Sequence, residues 1–207
     1  MKVKTQKFSN KEFSIGEDAY LVGPFAKKVS PNRGESLDEK LPLFIVLHYT
    51  ATINADDAIE ILLDEAREVS AHLVIDRDGG VSQLVPFDKI AWHAGVSSWD
   101  GISSLNRCSI GIELVNAGKL EKKDSKFMSW DCKEIAPSEV EEFLDNAGVA
   151  SYWHAYPELQ LTRLQEIVSL LKSKYAIKDV LMHSEIAPDR KMDPGPVFPI
   201  GKFSRRV

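Results

Sequence analysis

The sequence predicts an α/β domain built on a central mixed β-sheet flanked by helices. Short apolar runs at 43–50, 71–76, 81–85, 109–115 and 179–183 are bounded by turn residues and are too brief for typical helices, so they read as strands. Two longer stretches repeat apolar residues at helical spacing. The two kinds of segment follow one another as strand, helix, strands, helix, strand, which is the order of an α/β fold.

Each element has its own justification. Leu43-Phe44-Ile45-Val46-Leu47 is a buried-strand pattern that ends on His48. Residues 54–68 read as a helix: Asn54 is an N-cap, Asp56 and Asp57 are acidic residues in the first turn, and Ile59, Leu62, Leu63 and Ala66 share one face. Residues 71–76 and 81–85 are strands around the hairpin-type turn Asp78-Gly79-Gly80. In 109–115, Ile110, Ile112 and Leu114 alternate with Ser109, Gly111, Glu113 and Val115. Thr162-x-x-Gln165 is expected to open a second helix, with Leu164, Ile167, Val168, Leu171 and Tyr175 as its apolar stripe. The run from Asp179 to Met182 then delivers His183. The stretch near 117–158 is polar and weakly periodic and reads as an insertion, with Ser138-x-x-Glu141 as a capping box for a short helix. Residues 1–40, polar and turn-rich around Ser30-Pro31-Asn32-Arg33-Gly34, are expected to form an N-terminal arm packed on a main domain at 41–207.

Bulk properties narrow the classes of function. A chain of 207 residues with 43% hydrophobic and 28% charged content suits one soluble globular domain with a decorated loop or two. Its formal net charge of −5 argues against a nucleic-acid partner, which calls for a basic patch, and gives no support for binding an anionic membrane. No apolar stretch of about 7–15 residues follows Met1, so no secretory signal is expected. Nor does any window approach a membrane span. The protein is expected to be made in a cytoplasm, to act as a monomer, and to keep Cys108 and Cys132 as free thiols.

Two strand-borne imidazoles and one carboxylate, His48, His183 and Asp193, suit a catalytic zinc, because three protein ligands leave a fourth position open. Taken singly, each histidine equally fits a satisfied core residue. Pro188, Pro194, Gly195 and Pro196 stiffen the loop that carries Asp193. Lys191 leaves the same side of an extended segment as Asp193, where it would stabilise an oxyanion; a solvated surface lysine is the plainer reading. Glu113, beside the small Ser109 and Gly111, is either a general base for an activated water or a strand-edge carboxylate facing solvent. Trp92 and His93 form an aromatic platform suited to a sugar or peptide ligand, although Trp92 fits the core as well. His72 shares a strand face with Val74 and Asp76, which points it toward the same cleft. His154 reads as structural.

Together these segments resemble the zinc amidase family that includes N-acetylmuramoyl-L-alanine amidases and peptidoglycan recognition proteins. The likeness rests on six ordered stretches spread over residues 30–200: His48-Tyr49-Thr50-Ala51-Thr52, Ser70-Ala71-His72-Leu73-Val74-Ile75, Val85-Pro86-Phe87-Asp88-Lys89, Ala91-Trp92-His93-Ala94-Gly95, Ser109-Ile110-Gly111-Ile112-Glu113-Leu114, and His183 through Pro196. The resemblance implies a peptidoglycan-recognition-protein-like fold, with 41–207 as the amidase domain. It also implies Zn²⁺ on His48, His183 and Asp193, Glu113 as base, Lys191 as oxyanion stabiliser, and His72, Trp92, His93 and Asn106 lining the groove. The implied reaction is hydrolysis of the amide between N-acetylmuramic acid and L-alanine in peptidoglycan or muropeptides. Where this chain has Ala71, some members have tyrosine. A non-catalytic peptidoglycan-binding module is the alternative, but such modules typically lose a zinc ligand. The missing signal favours a cytoplasmic substrate; the long insertion leaves action in the envelope open.

Overall fold

The computed structural model describes residues 12–38 and 41–204. The beginning of the expected arm, with the opening stretch read as lacking a signal, falls in residues 1–11 and lies outside the described residues. In chain order the strands of the central sheet are β1 (Ala26–Lys27), β2 (Phe44–Tyr49), β3 (Leu73–Ile75), β4 (Val81–Gln83) and β5 (Ser109–Leu114). A second sheet follows, made of β6 (Lys119–Lys123), β7 (Lys126–Met128), β8 (Glu134–Ile135), β9 (Val140–Leu144) and β10 (Ala150–His154); β11 (Asp179–Met182) then returns to the first. The helices are α1 (Ala55–Leu63), α2 (Glu158–Lys174) and the single turn α3 (His183–Ile186).

The central sheet runs β11-β2-β5-β3-β4-β1. Its first four strands are parallel, β3 and β4 are antiparallel, and β4 and β1 are parallel, which makes the sheet mixed. Alternation along the strands divides the chemistry from the core. Ile45, Leu47, Ile110, Ile112 and Leu114 face α2, which buries Leu164, Ile167, Val168 and Leu171 against them. Truncating one of these large, fully buried side chains to alanine costs about 2–5 kcal/mol. On the opposite face, Ile59 and Leu62 of α1 pack on Val74, Leu84 and Val115. That face also carries His48 and Glu113, which the parallel register sets side by side on adjacent strands. Because β11 pairs Met182 with Leu47, His183 arrives at the same carboxyl edge of the sheet, the edge where open parallel sheets collect ligands.

Three local expectations need correction. The first helix ends at Leu63: Asp64 turns extended, and its carboxylate accepts from the Ala66 amide at 3.0 Å to cap a separate 3₁₀ turn over Glu65–Arg67. The second helix starts at Glu158, so Thr162 lies inside it. Its first turn is tied to the sheet by Gln160, whose amide donates to the Ile75 carbonyl at 2.9 Å and the Val115 carbonyl at 3.1 Å. Ser138 opens no helix; it sits in a single 3₁₀ turn over Pro137–Glu139, and β9 follows at once.

The insertion is thus a five-stranded antiparallel sheet in the order β8-β7-β6-β10-β9. It is joined to the domain by Arg77, which donates to the Ala155 carbonyl at 3.0 Å and the Glu139 carboxylate at 2.8 Å, and by the Lys133–Asp57 ion pair at 3.1 Å. In the segment 12–38, β1 extends the central sheet. Ser30 donates its hydroxyl to the Leu62 carbonyl at 2.8 Å, and Asn32 donates to the Asp64 and Val69 carbonyls at 2.8 and 2.9 Å. Cys108 and Cys132 are both free. Among the described residues no helix is long and apolar enough to cross a membrane.

Candidate active site

At the carboxyl edge of β2 and β11, three atoms form a small triangle. His48 Nδ1 lies 2.8 Å from His183 Nδ1 and 3.0 Å from Asp193 Oδ2, and His183 Nδ1 lies 2.9 Å from the same oxygen. All three residues are buried. Proton accounting decides what this triangle is. His183 Nε2 faces the Ala94 carbonyl at 3.2 Å; a carbonyl only accepts, so Nε2 carries the proton and Nδ1 a lone pair. On the other side, Ser109 gives its hydroxyl proton to the Leu105 carbonyl at 2.6 Å, so its oxygen accepts from His93 Nε2 at 3.3 Å. His93 Nδ1 is then an acceptor, and it takes the proton of His48 Nε2 at 3.1 Å. His48 Nδ1 is therefore also bare. Burial pushes the His48 imidazole down to about 4 and that of His93 well below the usual histidine value, which keeps both neutral at pH 7.

Two imidazole lone pairs and a carboxylate oxygen thus face one another with no proton between them. Two nitrogens and one carboxylate oxygen in this arrangement could hold a metal ion. The outer contacts to Ala94 and to the His93–Ser109–Leu105 chain fix which nitrogen each imidazole presents.

Glu113 stands beside His48. Its Oε2 is enclosed and has no hydrogen-bond partner among the described residues. Burial, with the Asp193 charge adding to it and Lys191 opposing, holds the carboxyl well above the usual glutamate value. Glu113, Lys191, Trp92 and His93 all line one groove of about 380 Å³ together with the three candidate ligands. Tyr49 and Arg190 line it too; the sequence reading passed over both, although each is the chain neighbour of a residue it did single out (His48 and Lys191). The Tyr49 hydroxyl is raised to about 12, chiefly by burial.

The structure places two expected groove residues elsewhere. His72 is 0% exposed and is not part of the groove lining: its Nδ1 accepts from the Gly111 amide at 3.0 Å and its Nε2 donates to the Lys89 carbonyl at 2.9 Å. It cross-ties the strands. Asn106 also stays out of the lining; its Oδ1 accepts from the His93 and Ala94 amides at 3.0 and 2.7 Å and holds that loop in place. Gly111 carries a signal that alternation alone did not reveal. A Cβ there would sit 2.3 Å from His93 Cγ, so the absence of a side chain makes room for the ring that orients His48.

A three-donor group that could hold a metal, beside a half-buried carboxylate with one enclosed and unpartnered oxygen, over a parallel-strand edge, has the architecture of a metal-dependent hydrolase. The sequence matches the family described as N-acetylmuramoyl-L-alanine amidase over residues 38–196. AmpD of Escherichia coli (strain K12), a 1,6-anhydro-N-acetylmuramyl-L-alanine amidase, is 32% identical over 90% of this chain and 93% of its own length. AmiD of the same organism, an N-acetylmuramoyl-L-alanine amidase, is 35% identical over 75% of this chain, which spans about half (49%) of the AmiD length. Among solved structures, an AmpD derivative superposes with a TM-score of 0.63 at 29% identity, covering 90% of this chain and 96% of that one. AmiD in complex with anhydro-N-acetylmuramic acid-L-Ala-D-γ-Glu-L-Lys gives 0.59 at 29%, covering 91% and 63%. The chain belongs to the N-acetylmuramoyl-L-alanine amidase family.

Proposed function

We propose that this chain is a zinc-dependent amidase that hydrolyses the bond between the lactyl group of N-acetylmuramic acid and the L-alanine of the stem peptide in muropeptides or peptidoglycan. The observation that carries the reading is the proton-free triangle of His48 Nδ1, His183 Nδ1 and Asp193 Oδ2 beside the unpartnered Glu113 oxygen. Similarity to AmpD, 32% identity over 93% of that enzyme's length, supports the choice of bond.

His48, His183 and Asp193 would hold the ion. When bound, Zn²⁺ polarises the scissile carbonyl and acidifies water. Glu113 Oε2, free of hydrogen bonds, accepts a proton from the attacking water and returns one to the departing L-alanine amine; its raised affinity for protons suits the second half of that exchange. Lys191 lines the same groove and offers its ammonium to the oxyanion that develops on the carbonyl. Trp92 and His93 border the site, and His93 also orients His48. An enclosed carboxylate oxygen left without a partner costs free energy, a cost that a reacting base accounts for and a module that only binds does not.

The test is to incubate the zinc-loaded protein with muramoyl peptides and with murein sacculi and to read the products by mass spectrometry. Stem peptides with a free L-alanine amine, lost on chelation and regained with zinc, are expected. Intact substrates in both reactions with zinc bound would overturn the reading.

A further inference from the structure

The catalytic groove does not end at the candidate metal site. Tyr49, Ala51 and Met192 line it and also line a second groove of about 580 Å³, whose far wall is the inserted sheet: Leu120, Met128 and Trp130. Trp130 is 71% exposed and yet held in place, because its indole N–H donates to the carbonyl of Ala51, three residues beyond His48. An exposed indole with its polar atom already satisfied offers only its ring. Met192, 51% exposed, flanks it from the loop that carries Asp193.

Charge distinguishes the two grooves. The catalytic groove is densely ionic, with Arg190 and Lys191 beside the carboxylates Glu113 and Asp193 and the imidazoles of His48, His93 and His183. The second is lined by one cation and one anion, Lys119 and Glu121, and is otherwise apolar, aromatic or small and neutral. A substrate cleaved at a muramoyl–alanine bond is equally two-sided. Its stem peptide carries charged groups and suits the ionic groove, where Arg190 and Lys191 can pair with its carboxylates. Its saccharide is neutral and presents C–H faces that pack on an aromatic ring, with a few polar groups at the edge.

We propose that the groove walled by Trp130 is a saccharide subsite, which takes the neutral N-acetylhexosamine linked to the muramoyl unit being cleaved, so that the enzyme prefers substrates carrying a disaccharide or longer glycan to those carrying muramic acid alone. The inference rests on the amidase reading and gives the inserted sheet its purpose.

The experiment compares kcat/KM of the zinc-loaded full chain on a muramoyl tripeptide and on the same tripeptide borne by an N-acetylglucosaminyl-muramoyl disaccharide. The wild type is expected to favour the disaccharide by about tenfold, in line with the worth of an aromatic contact. W130A is expected to bring that ratio near one, and W130F, which keeps a ring, to restore most of it. Equal kcat/KM on the two substrates in the wild type, or an unaltered ratio in W130A, would overturn the subsite while leaving the amidase intact. Cleavage of neither substrate by the zinc-loaded wild type would instead overturn the amidase reading, and the subsite with it.

Discussion

Gly111→Ala tests how the candidate metal site is held. The added Cβ would lie 2.3, 2.6 and 2.7 Å from Cγ, Cδ2 and Nδ1 of His93. Carbon atoms in ordinary contact stand about 3.5–4.0 Å apart, so the ring must retreat by roughly 1 Å or more. Its Nδ1 now accepts from His48 Nε2 at 3.1 Å, and that retreat takes the pair beyond hydrogen-bonding distance. His48 then loses the partner that makes its Nδ1 a lone pair. Loss of such an outer partner typically weakens metal binding about 10–100-fold, or about 1.4–2.7 kcal/mol. Titration against a chromophoric zinc chelator measures the change in Kd. In a double-mutant cycle, Gly111→Ala should add little in a His93→Ala background, where no ring remains to be displaced. An unchanged zinc Kd in folded Gly111→Ala protein would refute the reasoning.

Three further outcomes follow from the same geometry. Glu113→Gln should retain zinc and lose turnover by about 10²-fold or more in steady-state assays, since the proton-transfer group is gone while the ligands remain. The same variant should show a pH signature in the metal-free protein. Burial raises the folded-state affinity of Glu113 for a proton above its unfolded value of about 4.3, so the stability it contributes is full below that pH and is lost as pH rises through the raised folded value. Metal-free Glu113→Gln should therefore melt above metal-free wild type at pH 7 and match it near pH 4 by scanning fluorimetry; equal melting at pH 7 would mean that the carboxylate carries no such penalty. Lys191→Ala should lower kcat by roughly 10²-fold with zinc content unchanged, and a kcat that stays put would remove Lys191 from the oxyanion position.

The elements that carry the candidate site were legible where the sequence pattern is strong. The run into His48 is continuously apolar and bounded, the β5 pattern set Glu113 opposite Ile112 and Leu114, and Asn54 caps α1 by accepting from the Asp57 amide at 2.9 Å. Legibility failed where tertiary partners decide. Nothing local in His72 announces that both its nitrogens are taken up by backbone groups, one of them 39 residues away. Asn106 was expected to line the groove; its side chain instead holds the backbone of the His93 loop. The insertion hid its strands because β9, Val-Glu-Glu-Phe-Leu, has little alternation of its own. It becomes a strand by pairing with β10 across a turn in which the Asp145 carboxylate accepts from the Ala147 and Val149 amides. Trp130 lies 79 residues from Ala51 in sequence, and only the fold brings its indole to that carbonyl.

The measurement closest to the centre of the account is the zinc content of dialysed wild type and Asp193→Ala by mass spectrometry of the metal. The account predicts one tightly held zinc per chain in the wild type and its loss from the variant. A wild type that retains no zinc, or an Asp193→Ala protein that holds it as tightly, would contradict the assignment of the His48–His183–Asp193 triangle as the metal site.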